Sequence, residues 1–231
     1  MKRTLLLFAV LGCSTLPEYA APKGGVVEAG SLDSSDVISY RQLTRADFRG
    51  THAPPEFAKV ADRVGAATCG QVRPTNDTQF FIKWRQETPT SDKQHWVEVK
   101  KLSFMALMDR RCSWWNDKAA ARAPAYVLEH EQIHFALYEL GARKLNAQAE
   151  ALKREMTVEG SSQAEVESRA QRALNDALLK ATEDLLERNR DFDEETSLGY
   201  RPDRQRSWLK RVTEELSETQ AHASPVFASP G

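Results

Sequence analysis

Residues 124–156 read PAYVLEHEQIHFALYELGARKLNAQAEALKREM, and the fold turns on how that stretch is read. Proline is favoured in the first turn of a helix, and Ala, Leu, Glu, Gln, Arg and Lys are strong helix formers. The pattern predicts a helix from near Pro124 to about Met156. Its apolar stripe includes Tyr126, Ile133, Leu137 and Leu145. Two histidines, His130 and His134, fall inside that stripe, on the side away from Arg143 and Lys144.

Upstream of about residue 117 the chain has another character. The runs DVISYRQL, AATCGQV, TQFFIKW and HWVEVKKLSFMAL are rich in aromatic and β-branched residues, with turn clusters RPTND and TPTSD between them. They predict an antiparallel sheet. Downstream, SSQAE places Ser162 and Glu165 as a capping box for a second helix, with Val166, Ala170, Ala173, Ala177, Ala181 and Leu185 facing inward. A third helix is expected over roughly 203–220, with Trp208, Val212 and Leu216 on one face. A sheet followed by helices is an α+β domain: an N-terminal antiparallel part packed on a layer of about three helices.

The chain has 231 residues, with 32 basic against 33 acidic, a formal charge of -1, 41% hydrophobic and 28% charged residues. These suit one sizeable globular domain, and the balanced charge gives no reason to expect a nucleic-acid partner. The first residues, MKRTLLLFAVLGC, combine Lys2 and Arg3 with an apolar run too short to span a bilayer, so they read as an export signal. VLGC resembles the lipobox of bacterial lipoproteins. That resemblance implies a signal peptide over residues 1–12, cleavage before Cys13 and a lipid on its thiol. Ser14 then implies delivery to the outer membrane, facing the periplasm, with the lipid as the sole membrane contact. A plain secretory signal cut after Ala20 or Ala21 is the alternative, giving a periplasmic or secreted protein. Residues 13–33 read as a flexible tether, residues 34–220 as the single folded domain and residues 221–231 as a loose tail. Setting Cys13 aside leaves Cys69 and Cys112, most simply a disulfide in an exported chain, closing a loop of about 43 residues.

Histidines four apart on a helix differ by only about 40° around the axis, so both imidazoles can reach one metal ion. Glu131, rotated by about 100° from His130, flanks that ion instead of binding it. This is the placement of a general base for zinc-bound water. Two ordinary helix residues are the alternative reading. The longer run HEQIHFALYELGARKL resembles the signature of a bacterial family described from sequence as secreted zinc-dependent proteases, a domain otherwise of unknown function. The matching residues are His130, Glu131, Gln132, His134, Phe135 and Glu139. ISYRQLTRADFRG, SWW at 113–115, and FDEETSLG followed by Gln205 and Trp208 resemble further segments of that family, over about residues 35–216.

The resemblance implies a zincin-like fold, a zinc cofactor and a peptide or protein substrate. It departs at Leu198, where the family pattern has histidine. A catalytic zinc takes three protein ligands, so the third is sought elsewhere. Asp193, in the family-like F-D-x-E-T position, is the expected third ligand, and Glu139 a minor candidate whose other role is a pair with Arg143. Tyr200 is a candidate oxyanion stabiliser. His52, His95 and His222 are scattered and read as surface or structural. The rival to a hydrolase is a non-catalytic envelope lipoprotein with a degenerate metal site, serving binding or assembly.

Overall fold

The computed structural model describes residues 36–224. The expected signal peptide over residues 1–12, the expected lipidation site Cys13, the expected tether and the last seven residues lie outside the described residues. The order is β1 (Val37–Ser39), β2 (Ala66–Ala67), β3 (Gly70–Pro74), β4 (Gln79–Arg85), β5 (Gln94–Lys101), β6 (Phe104–Asp109), β7 (Trp114–Trp115), α1 (Asp117–Ala120), α2 (Pro124–Ala147), α3 (Ala149–Met156), β8 (Glu159–Gly160), α4 (Gln163–Thr196) and α5 (Pro202–Glu218), with short 3-10 turns between some of them. The α+β arrangement with antiparallel pairing is thus the observed one.

Its sheet is divided. Three small sheets form, with orders β1-β6-β3, β2-β7 and β4-β5-β8. The run AATCGQV splits into β2 and β3, which belong to different sheets, with Thr68 and Cys69 at the crossover. HWVEVKKLSFMAL likewise breaks at Leu102 and Ser103 into β5 and β6.

Among the described residues there are five α-helices, where about three were expected. The expected helix over 124–156 ends at Ala147 and restarts at Ala149, with Gln148 at φ -95 and ψ 0 between them. Just before that break Asn146 turns its side chain onto β6, accepting from Phe104 N at 2.7 Å and donating to Phe104 O at 3.0 Å. Ser162 caps α4 by accepting from Glu165 N, but the Glu165 carboxylate reaches back to Ser161 N at 2.9 Å and not to Ser162. The capping box is therefore offset by one residue. The chain expected to loosen at Ala221 instead turns through residues 220–222, and Ser224 is tied to Glu139. No helix among the described residues is long and apolar enough to cross a membrane.

Two apolar clusters fill the interior. The larger gathers Phe104, Met108, Phe135, Leu145, Leu152, Val166 and Leu174 between sheets and helices. The smaller joins Ile133, Leu137 and Leu140 of α2 to Phe192 of α4 and to Trp208 and Val212 of α5. Each such side chain contributes about 1.5–3 kcal/mol on burial. The smaller cluster matters here, because it clamps three helices around the histidines.

Candidate metal centre

The helices α2 and α4 run antiparallel. Lys144 pairs with Asp184, Gly141 faces Leu185, His134 meets Asn189 and His130 meets Asp193. A Cβ on Gly141 would sit 2.6 Å from Leu185 Cδ1, so glycine there permits the close approach. Positions 185, 189 and 193 recur every four residues, on one face of α4. The i, i+4 pair on α2 is thus matched by an i, i+4 pair, Asn189 and Asp193, on its neighbour.

His130 Nε2, His134 Nε2 and Asp193 Oδ1 form a triangle with all three edges at 3.2 Å. Ligand bonds of about 2.0–2.1 Å at tetrahedral angles put neighbouring donors about 3.3–3.4 Å apart. The residues present therefore fit a tetrahedral cation, and they form the candidate metal group. The histidine side chains are 9% and 12% exposed, whereas Asp193 is 23% exposed, so solvent reaches the group from the carboxylate side.

The other ring nitrogens decide how the imidazoles face. His134 Nδ1 lies 2.7 Å from Asn189 Oδ1, and Asn189 Nδ2 is committed to Leu185 O at 2.8 Å. His130 Nδ1 lies 3.1 Å from Gln205 Oε1, while Gln205 Nε2 donates to Tyr126 O and to Glu129 Oε1. With both amide NH2 groups engaged by acceptors, their oxygens must face the rings and accept from Nδ1–H. With Nδ1 donating in this way, both Nε2 atoms face the Asp193 oxygen, the orientation of metal-binding histidines. Without metal the His134 Nε2 proton bonds to Asp193, and a cation would take that proton's place. Phe192 completes the walls, stacked on His130 at 4.4 Å between centroids and edge-on to His134 at 4.8 Å.

Charge follows the same lines. Burial alone would depress His134, but the charge and hydrogen bond of Asp193 raise it to about 9, helped by the Glu131 charge and by Asn189. Burial likewise opposes ionisation of Asp193, yet the two imidazoles hold its carboxyl well below the usual carboxylate range.

Glu131 is 3% exposed and accepts from Thr68 Oγ1 at 2.8 Å through Oε2. Glu139 lies outside the metal group. Its carboxylate accepts from Arg143 Nε at 2.7 Å, Ser224 N at 3.0 Å and Ser224 Oγ at 2.5 Å. Tyr200 is 64% exposed and spends its hydroxyl on Arg63 O at 2.8 Å, so it is not brought to the donors. Leu198 stands with Ser197 and Gly199 in a left-handed run beyond α4, at φ 56. Tyr126 donates to Gly199 O and ties that turn to α2. Cys69 and Cys112 are disulfide-bonded, with Cα atoms 5.7 Å apart.

Asn189 was not singled out in the sequence, and Gln205 entered only through the resemblance. The one local signal for Asn189 is its spacing of four from Asp193, matching the histidine spacing. No protein-family model matches the chain, and no curated protein or solved structure matches it either.

Proposed function

We propose that the protein is an exported zinc-dependent hydrolase acting on peptide bonds, with a zincin-like site on α2 and α4. The observation that carries the reading is the pair of amides, Asn189 and Gln205, which hold Nδ1 of both imidazoles and so turn both Nε2 atoms toward one carboxylate oxygen. A purely structural histidine pair has no need of matched tautomers. His130, His134 and Asp193 would hold the cation. When bound, zinc supplies Lewis acidity and brings the pKa of a water ligand near neutrality. Glu131 has one oxygen held by Thr68, and its charge is felt at His134. Its role is to accept the proton of the attacking water and return it to the leaving amine. Kinship with the family of secreted zinc-dependent proteases, and export through residues 1–13, belong to the same proposal. The disulfide agrees with an oxidising compartment.

A second reading has its own observation. Leu198 stands where the resembled family has histidine, and the Tyr200 hydroxyl is engaged on a backbone carbonyl. A non-catalytic envelope lipoprotein with a binding or assembly role would tolerate both.

Elemental analysis paired with a broad peptide-cleavage screen separates the readings. Wild type should hold one zinc per chain, and His130→Ala or His134→Ala should lose it. Glu131→Gln should keep zinc and lose about 10²–10⁴-fold in rate. Iron in place of zinc would redirect the chemistry, since two imidazoles and a carboxylate also suit ferrous iron. Bound zinc with no cleavage, or cleavage indifferent to Glu131→Gln, selects the non-catalytic reading.

A further inference from the structure

We propose that Thr68 is the positioning residue for the Glu131 carboxylate and that the Cys69–Cys112 disulfide anchors it. The proposal rests on the reading of Glu131 as general base.

A buried carboxylate on a helix can take several rotamers, and a base is useful only in the one that meets its proton. Thr68 Oγ1 donates to Glu131 Oε2 at 2.8 Å, a charge-assisted bond. Holding Oε2 fixes the rotamer of the carboxylate and so the position of its other oxygen. Thr68 lies at the crossover from β2 to β3, where no strand pairing restrains it.

What restrains it is the next residue. Cys69 N donates to Ser113 Oγ at 3.0 Å, Cys69 O accepts from Asp109 N at 2.9 Å, and its sulfur is bonded to Cys112. The turn over 109–113 is itself closed by Arg111 N and Cys112 N on Asp109 Oδ1 and by Ser113 N on Asp109 O. One residue further, Gly70 lies against the ring of Tyr138, where any Cβ would collide, so the strand rests directly on α2. None of these contacts touches His130, His134 or Asp193. Metal holding and base alignment are therefore built from separate parts of the chain.

Thr68→Val replaces the hydroxyl by a methyl group of similar shape. Its zinc content should equal that of wild type, while kcat falls about 10–100-fold, the usual cost of losing an outer hydrogen-bond partner, with KM unchanged. Thr68→Ser should restore kcat. The side-chain carboxyl 13C resonance of Glu131, assigned by its loss in Glu131→Gln, should move in Thr68→Val and return in Thr68→Ser. Joint replacement of Cys69 and Cys112 by serine should lower kcat in the same way with zinc retained. An unmoved resonance, or wild-type kcat in Thr68→Val, overturns the proposal. Zinc-loaded wild type that cleaves nothing refutes the hydrolase reading instead, and the resonance then decides alone whether Thr68 holds the carboxylate.

Discussion

Replacing Asn189 by leucine should weaken metal binding about 10–100-fold although Asn189 touches no metal. The reasoning starts from the 2.7 Å contact between its Oδ1 and His134 Nδ1, shorter than an ordinary N–H···O bond. Leucine keeps the bulk and removes the acceptor. Losing the bond costs about 0.5–1.5 kcal/mol if water replaces the acceptor, and about 1–3 kcal/mol if the buried ring N–H stays unpaired. The ring can then flip or carry its proton on Nε2, which closes the lone pair that the cation needs. A loss of about 1.4–2.8 kcal/mol is a factor of 10–100 in Kd. Asn189→Asp keeps an acceptor oxygen in place and should stay within a few-fold of wild type. Competition against a chromophoric chelator measures the two constants. A leucine variant that binds as tightly as wild type would refute the tautomer argument. So would an aspartate variant as weak as the leucine one, because then the acceptor atom is not what matters.

Four further outcomes can be measured. His134 is raised from 6.5 to about 9, so without metal its pairing with Asp193 stabilises the fold fully below pH 6.5 and is lost as pH rises through about 9. Asp193 is lowered, so its contribution is present above its ordinary 3.8 and is lost as pH falls through its depressed value. Urea titrations of the metal-free protein across pH should show both flanks, and metal uptake near pH 7 should release about one proton, read by calorimetry in buffers of different ionisation enthalpy. Glu139→Ala leaves the buried Arg143 guanidinium without its carboxylate; it should cost about 3–5 kcal/mol in denaturant unfolding with no change in metal content, whereas loss of metal would mark Glu139 as a ligand. Removing the disulfide, which spans 43 residues, should cost about 4 kcal/mol by the chain-entropy relation, and an unchanged unfolding midpoint would refute that.

What could be read from the sequence was what is local. The start of α2 at Pro124, the serine cap of α4 and the i, i+4 histidines all depend on neighbours within a turn or two. Asp193 stood out through the resembled F-D-x-E-T motif. The contacts that set the tautomers join residues 55 and 75 apart, and no short-range pattern encodes which helix faces which. Gln205 looks from the sequence like any polar residue in the first turns of a charged helix, yet it is fully buried. The interruption at Gln148 was invisible for a related reason. Every residue around it favours helix, while the contact beside the interruption, Asn146 on Phe104, joins a strand residue 42 positions away.

The disulfide has a counterpart in chain topology. It closes the segment from 69 to 112, and a cation shared by His130, His134 and Asp193 would close a second loop of 59 to 63 residues that begins only after the first has ended. The two cross-links would then act in series along the chain. One restrains strands and the other helices, and neither loop contains an end of the other. The entropy each removes from the unfolded chain should add almost independently. Reduction should therefore loosen the strand half while the helices stay tied, and chelation should do the reverse. The protein would have two separately releasable halves within one core.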